Sequence, residues 1–318
     1  MSCLFSYIAD LPPHPLISNK VVPFLSEHKI VTSANILANL HTILYVAAAY
    51  QLVFVISQWF VFPLLVRWKL SSAGESLEKD NKIYNKEYSS LLNQSAVHFV
   101  SLVQSFVILY LSFGSMQSIN RSTHPSAGAR VFASSRENDI VCIFAVGYFI
   151  WDTLISMVYS SFPFVLHGAI STVMFLIGLK PYINFYAPIF LLFELSNPFL
   201  NFRWFGIKYF PQLTEANRGL VTKFLNIVQL VNNAVLITMF FLARIFWGWW
   251  KIGELCWDFY QIYDQPQFLA LETGIVVTGN LILDVLNAIW FAKMLSVAKR
   301  IISKGGKVQA KDETKKDS

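Results

Sequence analysis

The 318-residue sequence predicts an all-α, polytopic membrane protein of about seven transmembrane helices enclosing a polar cavity. Three observations carry that prediction. Only 14% of the residues are charged and 55% are hydrophobic, with a mean hydropathy of +0.48, whereas a soluble domain carries about 25% charged residues. Seven apolar runs, most of them long enough for the ~30 Å hydrocarbon core of a bilayer, alternate with polar segments. Five consecutive runs also carry polar residues at spacings of three, four or seven, so each has a face that lipid would reject.

The 28 Phe, 13 Tyr and 9 Trp supply aromatic belts for the two interfaces. Cys3, Cys142 and Cys256 are few, odd in number and far apart, and form neither a disulfide framework nor a metal site. No Gly-rich phosphate loop or Ser-His-Asp set is visible, and no cofactor is expected. The net charge of +6 lies in loops and a tail, a placement that serves topology and anionic lipid contact and argues against a nucleic-acid partner.

Residues 1–35 form a lumenal N-terminal segment in which Pro12, Pro13, Pro15 and Pro23 prevent any long helix, with a short interfacial helix at 21–30. The segment lacks the charged n-region, apolar core and small-residue cleavage site of a signal peptide, so no cleavage is expected there. Residues 36–86 hold the first span, 41–66, and a solvated cytosolic loop that runs on to 93. That span's 26 residues would run ~39 Å and must tilt. A second span covers 94–113; a Ser/Gly/Arg loop leads to the third, 140–160. The short fourth and fifth spans, 162–179 and 185–201, are joined by the hinge 180–184, which turns the chain antiparallel. A loop at 202–221 follows. The sixth span is 222–247, then comes a wet aromatic stretch at 247–267, and the seventh is 271–294. Residues 304–318 read as a disordered, Lys-rich cytosolic tail.

Cytosolic loops hold the excess of Lys and Arg. With the N-terminus lumenal and the C-terminus cytosolic, 17 of the 25 Lys and Arg fall on the cytosolic side; Arg244 and Lys251 are among the other 8. Asn120-Arg121-Ser122 is a glycosylation sequon in a loop this orientation makes lumenal. Lys315 and Lys316, four and three residues from the end, match a dilysine retrieval address read by a cytosolic coat, so the expected location is the endoplasmic reticulum membrane.

The polar stripes name the candidate site. The third span carries Tyr148, Asp152, Ser156 and Tyr159, and the fourth His167 and Ser171. The fifth carries Glu194, Asn197 and Asn201, the sixth Asn226, Gln229, Asn233 and Arg244, and the seventh Asn280, Asp284 and Asn287. Amides and hydroxyls often only link helices, which is the expected role of Asn226, Gln229 and Asn233, although Asn233 is also a cavity candidate. Asp152, His167, Glu194 and Asp284 can ionise, and an ionisable group inside a span marks a functional site. Counting 1.5 Å per residue puts the three carboxylates near the midplane and His167 ~7 Å from the cytosolic end. The expectation is a cavity open to the cytosol, with His167 at its mouth and the carboxylates deeper.

The segment from Gly147 to Asp152, then His167, then Phe193 to Trp204 resembles the core of the TLC-domain family over roughly residues 87–303. The most specific part is the Glu-x-Ser-x-Pro-Phe-x-Asn block beginning at Glu194. The family comprises multispanning endoplasmic-reticulum proteins, including the ceramide synthases and shorter members linked to membrane lipid composition. Ceramide synthases carry two adjacent histidines on the helix matching the fourth span and aspartates before and after a serine on the next. Here His167-Gly168, Glu194 and Asn197 stand in those places, closer to the shorter members.

Two functions follow as expectations. The first is a lipid-binding protein of lipid homeostasis, with membrane lipids gripped by Tyr148, Ser171, Asn197, Asn201, Asn233, Asn280 and Asp284. The second is an acyl-CoA-dependent N-acyltransferase acting on a sphingoid base. There His167 would be nucleophile or general base, oriented by Asp152 or Glu194, and Arg203, Lys208 and Arg218 would attract the CoA phosphates.

Overall fold

The computed structural model describes residues 3–71, 81–118, 124–211 and 219–314. In chain order the helices are α1 (Cys3–Ala9), α2 (Val22–Glu27), α3 (Ala34–Ile56), α4 (Pro63–Ser71), α5 (Asn81–Ser118), α6 (Ala127–Val131) and α7 (Arg136–Tyr159). They continue with α8 (Phe162–Gly178), α9 (Ala187–Phe190), α10 (Asn197–Tyr209), α11 (Leu220–Phe240), α12 (Trp247–Ile262) and α13 (Ala270–Thr314). No strand occurs among the described residues. Five stretches are long and apolar enough to cross a membrane: Ala34–Val61, Lys82–Gln117, Arg136–Tyr159, Leu220–Ile262 and Ala270–Arg300. Large apolar side chains such as Leu52, Phe106, Phe224 and Val285 are exposed on the outside, as a lipid-facing surface requires.

The fold class stands; of the seven expected spans, five have the length and composition that a crossing needs. The expected fourth span is α8, a shorter helix of 17 residues. The expected fifth is not one helix. Residues 184–209 pass from a 3-10 turn (Asn184–Tyr186) through α9 and a second 3-10 stretch (Leu191–Ser196) to α10. Pro188 and Pro198 stand at the starts of α9 and α10, where a missing N–H is tolerated. Pro198 cannot bond the Glu194 carbonyl four residues back; the Asn197 N–H takes it instead, one residue tighter.

Other boundaries move for legible reasons. The first span begins at Ala34, capped by the Ser33 hydroxyl on the Ile36 N–H. It ends in a π-turn, Ser57–Val61, just before Pro63. Residues 81–93 belong to α5 rather than to a loop, because Tyr84, Tyr88, Leu91 and Leu92 pack on Phe62, Val66 and Leu70 of the preceding segment. The wet aromatic stretch is α12, continuous with α11. Gly248, Ile252, Leu255, Phe259 and Ile262 recur at helical spacing and are buried, while Trp249, Trp250, Trp257, Tyr260 and Tyr263 face outward. α13 continues to Thr314, into the expected disordered tail, despite Gly305 and Gly306, both of which disfavour a helix. The N-terminal segment docks on the bundle. Phe5 meets Tyr110 and Phe144 at 5.7 and 5.3 Å, and Asp10 pairs with Arg136 at 2.6 Å.

The core lies around α7, which packs on α3, α5 and most extensively on α8. Gly147 lets α3 approach, since a Cβ there would stand 2.6 Å from Val46 Cγ1. The hinge between α8 and the broken segment is held by one buried amide. Asn184 donates from Nδ2 to the Gly178 carbonyl (2.8 Å) and Asp139 Oδ1 (3.0 Å), and its Oδ1 accepts from the Ser135 N–H (3.1 Å). This holds Ile183, a β-branched residue, in the left-handed region at φ 56°. Asn184→Ala strands one buried and two half-buried partners and should lower stability by about 2–4 kcal/mol, read as a reduced unfolding midpoint in mixed detergent. An unchanged midpoint would show that the hinge is held by packing alone.

Candidate functional site

The helices enclose two chambers that share a partition. The outer one, about 530 Å³, is polar, with Tyr148, Asp152, Asn197 and Asn201 among its walls. Its rim includes Gln94, Ser160, Trp204 and Lys293. The inner one is a slot of about 60 Å³ lined mainly by apolar groups such as Met174, Phe175, Phe190 and Leu283, with Ser171, Asn280 and Asn287 as polar exceptions. His167, Phe149, Glu194 and Arg244 line both.

Arg244 organises the partition. It lies in a π-turn, Phe241–Phe246, within the continuous helix formed by α11 and α12. The charge count had placed it on the lumenal side, although it also stood in the polar stripe of the sixth span; it is buried, and its side chain is 6% exposed. The extra residue per turn of a π-bulge re-aims a side chain, and such bulges gather at functional sites. Nε donates to the Phe193 carbonyl and to Ser196 Oγ, both at 3.0 Å. Nη2 donates to Asn197 Oδ1 (2.7 Å), and Nη1 to Asn287 Oδ1 (3.2 Å). The Phe193 carbonyl is available because the Asn197 N–H bonds Glu194 instead. Glu194, 7% exposed, places Oε1 3.8 Å from Nη2 and accepts a hydrogen bond from Asn197 Nδ2. The ring of Phe240 lies 5.0 Å from the guanidinium carbon. The broken segment is thereby tied to α11–α12 and α13 by one cation.

His167 is held differently. Its ring meets Phe149 and Trp290 edge-on at 5.9 and 5.7 Å, and no hydrogen bond from a described residue fixes it. No carboxylate orients it as the acyltransferase expectation required. Nor does it stand at the mouth above the carboxylates. A Cβ on Gly168 would lie 3.2 Å from Asp152 Oδ2 and 2.6 Å from Thr153 Oγ1, so His167 is level with Asp152. The depth of Asp152 had been counted from the far end of its helix; counted from the α7–α8 turn, the two residues lie within ~3 Å of the same depth.

Of the expected site residues, Asp152, His167, Glu194, Tyr148, Ser171, Asn197, Asn201 and Asn280 line the chambers. Asp284 does not. It is buried near Gly248, and its Oδ1 has no hydrogen-bond partner among the described residues. Asn233 accepts from Arg203 Nη1 at 2.8 Å in a separate groove. Lys208 stands over the Trp204 ring at 5.9 Å. Asn226 and Gln229 bond the Pro211 and Arg203 carbonyls and link α11 to α10 and the residues after it, as expected. Arg218, Asn120, Lys315 and Lys316 lie outside the described residues.

Two groups were missed. His98 lines the outer chamber, stacked on Trp204 at 4.2 Å with Nδ1 2.8 Å from Asn201 Oδ1. Its place seven residues before Ser105 and six before Gln104, on a face of buried polar side chains, was the available signal. Beyond the slot, Asp258 receives Arg130 Nε and Nη2 at 2.6 and 2.5 Å and the Tyr186 hydroxyl at 2.5 Å. The hydrogen bonds to Asp258 raise the Arg130 pKa above its ordinary value.

Removing Arg244 leaves Glu194 buried without a cation. Arg244→Gln should cost about 3–5 kcal/mol, and the Glu194→Gln/Arg244→Gln double variant should cost clearly less than the sum of the single changes. A double-variant cycle of detergent unfolding midpoints measures this; strict additivity would remove the ion pair from the account.

The comparisons with known proteins fit this geometry. A family model for the TLC domain matches residues 94–296. The chain is 48% identical over 312 residues, 95% of its length and 96% of the relative's, to the uncharacterized TLC domain-containing protein YPR114W of Saccharomyces cerevisiae. It is 30% identical over 266 residues, 82% of its length and 79% of the relative's, to an uncharacterized TLC domain-containing protein of Schizosaccharomyces pombe. Topoisomerase I damage affected protein 4 of Saccharomyces cerevisiae is 27% identical over 270 residues, 84% of this chain and 86% of that one. No solved structure matches. With the family model spanning most of the chain and a relative aligned along nearly all of it, the chain belongs to the TLC-domain family.

Proposed function

We propose that the chain binds a lipid in the two-chamber cavity and acts in lipid homeostasis of the endoplasmic reticulum membrane. The observation that carries this reading is the partition itself: a polar chamber joined through His167, Phe149, Glu194 and Arg244 to an apolar slot complements an amphiphile. Asp152 lines the outer chamber with no cationic partner among the described residues. It therefore suits a head group bearing an amine, as a sphingoid base or an aminophospholipid does. The end of one chain would enter the slot.

The second reading, acyl-CoA-dependent N-acylation of a sphingoid base, draws support from His167, which lines both chambers and is free of hydrogen bonds among the described residues. Two observations weigh against it. No described carboxylate bonds His167, and the close approach of α8 to Thr153 leaves no room at position 168 for a second histidine.

The orientation belongs to the same proposal, with the N-terminus lumenal, the C-terminus cytosolic and retrieval through Lys315 and Lys316. With Arg244 inside the bundle, the charge split behind it becomes 17 to 7.

The test is purification of the full-length protein in mild detergent, mass spectrometry of the retained lipids, and an acyl-transfer assay with acyl-CoA and a sphingoid base. Lipid binding predicts about one retained amine-bearing lipid per chain, less of it in Asp152→Asn, and no transfer. Amide formation abolished by His167→Ala would establish the second reading instead, and a protein with neither retained lipid nor transfer would contradict both.

A further inference from the structure

Outside the central cavity, we propose that the groove between α11 and the C-terminal half of α13 is a second site, one that binds an anionic phospholipid. The groove holds about 340 Å³, within the range of small-ligand pockets. Leu230, Leu236, Ile237, Met294 and Val297 make it apolar, and Arg203, Asn233 and Lys293 line it with polar groups. Leu230 is 62% exposed, so the groove opens sideways onto the lipid-facing surface.

Charge complementarity names the occupant. At the opposite end of the bundle each of four cations has a carboxylate: Arg130 with Asp258 (2.5 Å), Arg136 with Asp10 (2.6 Å), Lys180 with Glu272 (2.6 Å) and Lys251 with Glu254 (2.8 Å). Arg203 and Lys293 have none among the described residues. Arg203 instead gives one Nη1 hydrogen bond to Asn233, an uncharged acceptor that fixes the guanidinium plane and leaves its other N–H groups unspent. An oriented guanidinium beside an ammonium is a phosphate receptor, and the apolar groove beside it would take an acyl chain. Both cations lie at the end of the bundle that carries the Lys and Arg excess, and the cytoplasmic leaflet is the one rich in anionic lipids. Lys293 also lines the outer chamber, so the bound phosphate would stand beside that chamber's rim. The inference does not depend on what the chambers hold, because Arg203 and Ala234 line the groove and neither chamber.

The experiment titrates full-length protein in detergent with phosphatidylserine, phosphatidylcholine or inorganic phosphate and counts bound lipid by native mass spectrometry. Wild type should bind phosphatidylserine at least tenfold more tightly than phosphatidylcholine. Arg203→Gln, which removes the charge, and Ala234→Trp, which fills the groove, should each weaken phosphatidylserine at least tenfold. Phosphatidylglycerol, which is anionic and bears no amine, should show the same preference over phosphatidylcholine, which separates this site from the amine-selecting central one. Inorganic phosphate at millimolar concentration should not displace the lipid. Equal binding of the two lipids, or undiminished phosphatidylserine binding in Ala234→Trp, would overturn the proposal. Displacement by phosphate would make it a free-anion site. If Arg203→Gln does not fold, Ala234→Trp and the comparison of the two lipids decide alone.

Discussion

The ties of the Arg244 guanidinium to the residues around Pro198 hold the interior together. A buried cation is costly unless it is both paired and hydrogen-bonded. Arg244 meets both conditions through an irregular backbone. Pro198 draws the Asn197 N–H onto Glu194, the Phe193 carbonyl turns to the guanidinium, and the π-turn at Phe241–Phe246 aims Arg244 at it. Irregular backbone at membrane depth is tolerated only where protein surrounds it or a cavity adjoins it; here both hold, since Glu194 and Arg244 line the chambers.

The two ends of the slot have different chemistries. Toward the outer chamber it is bounded by the ion pair and a loosely held histidine. Toward Tyr186 it is bounded by the Asp258–Arg130 clamp, with Lys180–Glu272 and the Tyr182–Thr273 contact nearby. Local stability follows contact density and buried polar bonds. The clamped end is therefore the rigid one, and the proposed lipid would enter at the end where His167 lies between Phe149 and Trp290.

Much of this was legible in the sequence because lipid penalises polar groups so heavily that a stripe of them must face inward. Asp152, His167, Glu194, Ser171 and Asn280 were found that way. What was not legible depended on helix phase. Asp284 shares a stripe with Asn280 and Asn287, yet a small rotation about the helix axis turns it toward Gly248 and away from both chambers. Asn233 is turned toward Arg203 in the same manner. Arg244 was counted among the lumenal charges because its span seemed to end three residues later, at Trp247. The buried period through Gly248, Ile252, Leu255, Phe259 and Ile262 was there to be counted, but the aromatic residues between hid it. The broken segment was signalled by Pro188 and Pro198, although its 3-10 turns depend on partners distant in sequence.

The central claim is that the outer chamber and the slot form one amphiphile site divided at Arg244 and His167. A density map of the full-length protein in lipid nanodiscs tests it most directly. The account predicts one elongated density, its polar end beside Asp152 and Asn197 and its tail reaching past His167 toward Met174 and Phe190. A map in which His167 faces the bilayer, or in which Asp152 and Glu194 lie on opposite sides of the bundle, would contradict it.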